Sequence, residues 1–144
     1  MKTFKTKLLT IALLLCGISA SAYDFEANGL YYNLLSASGK TCELAGCSQD
    51  VMNMNIPASV TTRGITLTVS SIKESAFENN TNLLSVSFVD NPMTSVAANS
   101  FKGCTNLTQV ELSNTLETIE TGAFDGCPIS KMVIPSNVKT VGAK

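Results

Sequence analysis

Histidine is absent from all 144 residues. Its absence removes imidazole general bases, His-ligated metals and the Cys-His and Ser-His pairs of nucleophilic catalysis. A glycine-rich phosphate loop of either usual form is also missing. Cys42 and Cys47 stand too far apart for a CxxC redox motif, and the paired short spacings of a four-cysteine zinc site do not occur. Glu111, Glu117 and Glu120 cluster in sequence, but each flanks an apolar strand position (Val110, Leu112 or Ile119), which reads as a solvated acidic edge. The sequence therefore offers no catalytic, cofactor-binding or metal-ligating residue, and it predicts neither an enzyme nor a cofactor.

A membrane-spanning run is lacking too. The longest apolar stretch, Leu8 to Ile18, is about eleven residues, against the roughly 20 that a helix needs to cross a bilayer. Preceded by Lys2, Lys5 and Lys7 and followed by Ala20-Ser21-Ala22, it has the three parts of a secretory signal peptide. Residues 1–22 are therefore expected to be a cleaved leader, with the mature chain starting at Tyr23. Lipidation at Cys16 is the rival reading, disfavoured by Leu15 where a small residue would stand. Without the leader, seven of the ten Lys/Arg remain against eleven Asp/Glu, a net charge of −4. A chain without a basic face is not expected to bind nucleic acid or an anionic membrane surface. Export to the cell surface or beyond makes disulfides permissible, and the periplasm is the other compartment that fits. Four cysteines remain, and spacing leaves two pairings open: a local Cys42–Cys47 bridge across a short turn, or Cys104–Cys127 either bridged or simply stacked as small hydrophobes.

What the sequence does contain is repetition. Leu83-x-x-Val86-x-Phe88 returns as Leu107-x-x-Val110-x-Leu112 and as Ile129-x-x-Met132-x-Ile134. A second apolar pair follows each time, as Met93-x-x-Val96, Leu116-x-x-Ile119 and Val138-x-x-Val141. Phe77, Phe101 and Phe124 are spaced 24 and 23 residues apart, the period of one solenoid coil. Two short strands per coil and one helical turn before each phenylalanine are expected, with Phe101, Cys104, Phe124 and Cys127 joining the strand residues in a stacked core. The fold class is thus a mostly β solenoid of about 23-residue coils. Residues 23–55 form an N-terminal β-hairpin cap, and residues 56–144 form repeats whose last copy is incomplete. Within the cap, Phe25 to Leu35 reads as a strand-like run interrupted by Gly29, Lys40 to Leu44 as its return strand, and Met52, Met54 and Ile56 as the buried face of a half-buried strand. Arg63-Gly64 between threonine-rich arms predicts a hairpin projecting from the first coil.

Outward strand positions stack in columns in such a solenoid, which makes Ser85, Ser87, Gln109, Glu111, Lys131 and Val133 the candidate binding face. Small, polar and mixed in charge, these columns suit a protein or glycan partner. The open edge at Val138 to Lys144 is expected to favour self-association.

Ile134-Pro-Ser-Asn-Val, the Val-x-x-Ile pair and the Ala-Phe-x-x-Cys turn resemble the BspA-like leucine-rich repeats of bacterial surface proteins. The resemblance covers about residues 56–144, and Tyr23-Asp-Phe…Asn28-Gly-Leu-Tyr-Tyr is similar to the family's mature start. It implies a curved solenoid, secretion or surface display, and adhesin-type binding to host matrix or cell-surface proteins, with no catalytic residues to carry over. This chain departs from the pattern at Asn80, which stands where later copies have Cys, and at Phe88-Val-Asp-Asn-Pro92, which replaces the Ile-Pro phrase. A structural cap or spacer of a larger repeat protein is the alternative role.

Overall fold

The computed structural model of the chain describes residues 23–143. The expected leader, its Ala20-Ser21-Ala22 site, Cys16 and Lys144 lie outside the described residues. The described chain is a β-solenoid of about four turns with a repeat of about 24 residues, without a helix.

The N-terminal sheet has five strands in the order β1-β2-β3-β6-β5: β1 Phe25–Ala27, β2 Leu30–Ser36, β3 Thr41–Cys47, β5 Ser59–Thr62 and β6 Ile65–Ile72. Two tight hairpins build it. The interruption expected at Gly29 is a two-residue turn, Asn28-Gly29, where φ is 53° and 77°. Arg63-Gly64 turns β5 into β6 in the same way, with φ of 48° and 77°. Left-handed backbone at both loop residues matches the right-handed twist of the flanking strands. The second hairpin does not project freely. Its β6 lies parallel to β3, with Cys42 opposite Val69 and Leu44 opposite Ile72. All four of these residues are buried, and nearby Phe25 stacks on Tyr32 at 5.2 Å. Strand pairing consequently does not divide the chain at residue 55, because β5 and β6 belong to the capping sheet while β4 (Asn53–Asn55) pairs with the first coil.

The coils stack through three columns of hydrogen bonds. A parallel sheet of order β11-β9-β7-β4 joins β4 to β7 (Ser85–Ser87), β9 (Gln109–Glu111) and β11 (Lys131–Val133). A second parallel sheet joins β8 (Ser95–Val96), β10 (Thr118–Ile119) and β12 (Thr140–Val141). The third column is a turn ladder. In it Phe77 N–H donates to Ser100 O at 2.8 Å and Phe101 N–H to Ala123 O at 2.9 Å.

This ladder replaces the helical turn expected before each phenylalanine, for a backbone reason. Two residues on either side of each aromatic there is a left-handed residue: Ser75 and Asn79, then Asn99 and Gly103, then Gly122 and Gly126, with φ between 53° and 74°. Right-handed helix cannot pass through such residues. The local bonds are i→i+3 turns, such as Ala76 N to Lys73 O, and the intervening N–H groups point to the next coil.

Between the columns lies one continuous core. Leu83, Val86, Phe88, Val96, Phe101, Cys104, Leu107, Val110, Leu112 and Ile119 are buried in it, whereas Phe124 and Cys127 are half-buried against its C-terminal side. Among the described residues no helix is long and apolar enough to cross a membrane.

Candidate binding face

Side chains alternate across a strand, so the parallel register fixes what faces out. Met54, Val86, Val110 and Met132 form the inward row. Ser85, Gln109 and Lys131 form one outward column, and Ser87, Glu111 and Val133 form the other. Gln109, Glu111, Lys131 and Val133 are exposed, while both serines are half-buried. A cavity of about 370 Å³ is lined by the four exposed residues and does not reach Ser85 or Ser87.

The register also supplies two residues that the sequence reading assigned to the cap. Asn53 heads the first column and Asn55 the second. Ser85 Oγ donates to Asn53 Oδ1 at 2.7 Å, and Asn55 Nδ2 donates to Asp90 Oδ2 at 3.2 Å. The Asn-Met-Asn alternation was the available signal. Met52, expected on the buried face with Met54 and Ile56, is 54 % exposed. It precedes the strand, so the alternation does not extend to it, and Leu84 N–H bonds to its carbonyl at 2.7 Å. Leu84, 42 % exposed, lies beside it in the next coil and gives the polar columns an apolar flank.

Taking strands about 4.8 Å apart and residues about 3.3 Å apart, the four-stranded face measures roughly 14 by 7 Å, about 100 Å². A standard protein interface covers about 800 Å² per partner. These columns can therefore orient a partner but cannot supply a whole interface alone.

The cysteines contribute structure. Cys104 Sγ donates to Phe77 O at 3.1 Å and Cys127 Sγ to Phe101 O at 3.0 Å, and all four described cysteines are free thiols. The two thiols also act on each other: Cys127, with burial adding to it, pushes the Cys104 pKa up, and Cys104 holds that of Cys127 down. Cys42 and Cys47 do not flank a turn. They lie five residues apart on β3, roughly 16 Å along an extended strand, beyond the reach of about 7 Å between bridged Cα atoms. Burial pushes the pKa of each up to about 11, so neither supplies a thiolate nucleophile near neutral pH. Among the described residues no group of three His, Cys, Asp or Glu is placed to hold a metal ion.

A family model described as the BspA type leucine rich repeat region matches residues 52–144 in six copies. Among solved structures, a leucine rich repeat protein of T. pallidum aligns with TM-score 0.64 at 22% identity, over 82% of this chain and 53% of that one. A leucine-rich repeat protein from Bacteroides capillosus aligns with TM-score 0.61 at 24% identity, over 83% and 97% of the two chains. One from Bacteroides ovatus gives 0.57 at 24%, over 83% and 37%. This chain thus spans about half the length of the T. pallidum protein. At these identities the likeness establishes the fold alone. No curated protein matches the chain.

Proposed function

Since the chain belongs to the BspA type leucine-rich repeat family, we propose that it is an exported, non-catalytic recognition module that holds an extracellular protein partner against its outward sheet columns. The observation that carries this reading is the strict parallel register of β4, β7, β9 and β11. It sets Asn53, Ser85, Gln109 and Lys131 in one row and Asn55, Ser87, Glu111 and Val133 in the next. Successive residues within a row, about 4.8 Å apart, in two rows about 7 Å apart, present polar groups at the spacing of a peptide or glycan surface. The apolar flank of Met52 and Leu84 adds the desolvated contact that polar columns lack. Export follows from the leader, which predicts that protein recovered outside the cell begins at Tyr23, as N-terminal sequencing would read.

The face is small, so affinity for a protein partner should be weak, in the micromolar range or above, unless neighbouring surfaces also engage. The test is saturable binding of residues 23–144 to immobilised laminin and collagen, compared with the triple variant Gln109→Ala, Glu111→Ala, Lys131→Ala. All three side chains are exposed, so the variant should fold. Loss of binding in the variant supports the reading. Binding that survives it, or none to begin with, refutes it.

The alternative role, a cap and spacer within a larger repeat protein, gains support from that same small area. The edge strands β11 and β12, with Val133 80 % and Val141 59 % exposed, are also where a second copy would add. Solution mass by light scattering, compared with Val133→Lys and Val141→Lys, tests that association.

A further inference from the structure

The repeat pattern fails most visibly at one place, and that place is a cleft. In the second and third coils the residues after the aromatic turn are Gly103-Cys104 and Gly126-Cys127; in the first they are Asn79-Asn80. The backbone is the same, with φ of 61° at Asn79 against 70° and 74° at the glycines. The first coil therefore carries two side-chain amides where later coils carry none and a thiol. Both residues line a cavity of about 370 Å³ between the cap and the first coil, with the Asn79 side-chain oxygen turned to the Gly103 backbone of the second coil.

The cap side of this cleft is aromatic. Tyr31 and Tyr23 stack at 4.1 Å between ring centroids and 4° between planes, and both rings line the cavity. Gln49, Glu78 and Asn82 complete its polar side. Asn80 braces the wall. Its Nδ2 donates to Cys47 Sγ at 3.5 Å, and its Oδ1 accepts from Asn82 N at 2.9 Å and Leu83 N at 3.2 Å. The cleft is thus tied to both the cap and the coil before any ligand arrives, which limits the ordering cost of binding.

We propose that this cleft is a neutral-saccharide subsite, in which the tyrosine pair carries the C–H face of a sugar ring and the amides of Gln49 and Asn82 take its hydroxyls. A sugar hydroxyl is donor and acceptor at once, and a carboxamide offers both in fixed geometry. An aromatic ring supplies the flat apolar contact that the same sugar needs. The volume lies within the range of small-ligand sites, roughly 300–1,000 Å³. Glu78 is the one charged group in the lining, which selects against uronic and sialic acids. None of the sheet-column residues lines the cleft, so this site stands or falls apart from the face proposed above.

The test uses residues 23–144 with glucose, galactose, mannose and N-acetylglucosamine as probes, by saturation-transfer NMR and titration calorimetry. At least one should bind saturably at millimolar concentration. Asn82→Ala and Gln49→Ala each alter an exposed side chain. Together they should weaken binding at least ten-fold with the melting temperature unchanged, while Gln109→Ala with Lys131→Ala should leave binding as it was. Absence of saturation by all four sugars overturns the proposal. So does undiminished binding in the Asn82→Ala, Gln49→Ala variant.

Discussion

Phe101 is the place where the stacking of coils can be tested by one substitution. It is fully buried and touches three aromatic neighbours: Phe77 at 5.0 Å and Phe124 at 5.3 Å, both stacked, and Phe88 edge-on at 6.0 Å. Phe→Ala in a core costs about 3–5 kcal/mol through lost transfer energy and the cavity left behind. Each aromatic pair adds about 0.5–1.5 kcal/mol beyond burial, which puts Phe101→Ala at the top of that range, about 5 kcal/mol. Phe124→Ala removes one ring partner from a half-buried position and should cost about half as much. A chain of this size holds roughly 6–18 kcal/mol in all, so both variants should fold. Phe101→Leu separates shape from stacking, because it keeps most of the apolar volume and should cost only about 1–2 kcal/mol. Urea unfolding of residues 23–144 followed by circular dichroism reads the series. With m near 2 kcal/mol/M, the Phe101→Ala midpoint falls by about 2–3 M. A Phe124→Ala loss equal to or larger than the Phe101→Ala loss would refute the idea that the central ring couples the coils.

Three further outcomes follow from buried polar groups. Ser100 Oγ is buried without a hydrogen-bond partner, and the matching positions are Ala76 and Ala123; Ser100→Ala should stabilise by about 1 kcal/mol in the same unfolding assay. Asn91 is buried, donates from Nδ2 to Pro57 O at 2.7 Å and Val69 O at 3.1 Å, and accepts from Met93 N at 2.8 Å. Asn91→Ala orphans all three groups and should cost about 2–4 kcal/mol, with faster amide exchange at Met93. Burial raises the pKa of Cys42 and Cys47 from 9.0 to about 11 and, with Cys42 adding to it, that of Tyr32 from 10.0 to about 12. The folded state therefore favours the protonated forms. Their contribution is complete below pH 9, declines between 9 and 11 for the thiols, and declines between 10 and 12 for the phenol. Melting temperature should fall across that window, and Cys42→Ala with Cys47→Ala should flatten its lower half.

The coils were legible because each apolar residue recurs at one period, and a repeat of short strands can only stack in register. The pairing Ser85, Gln109, Lys131 follows directly from that spacing. The cap was harder to read, because its sheet depends on contacts that no local pattern announces. The parallel match of β3 with β6 joins residues 27 or 28 apart, and it drew the Arg63-Gly64 hairpin into the sheet. Gly29 was legible as a break in the aromatic run, and the Asn28-Gly29 turn stands there. Asn91 left no trace in sequence, since an Asn beside Pro92 reads as an ordinary loop residue and only the fold places two carbonyls against its amide. The candidate face was legible in its six strand residues. Its heads, Asn53 and Asn55, and its apolar flank needed the register of β4.

The three hydrogen-bond columns share one direction, parallel to the solenoid axis, and that direction decides how the protein yields to a load. Tension that drew the last coil off along that axis would meet all three columns in series with the coil behind it. The coils would then release one by one, as a zipper opens, each giving up about 23 residues, or roughly 80 Å of slack chain. Held at the cap and pulled from its last coil, the chain would lengthen by steps and keep the coils nearest the cap folded longest.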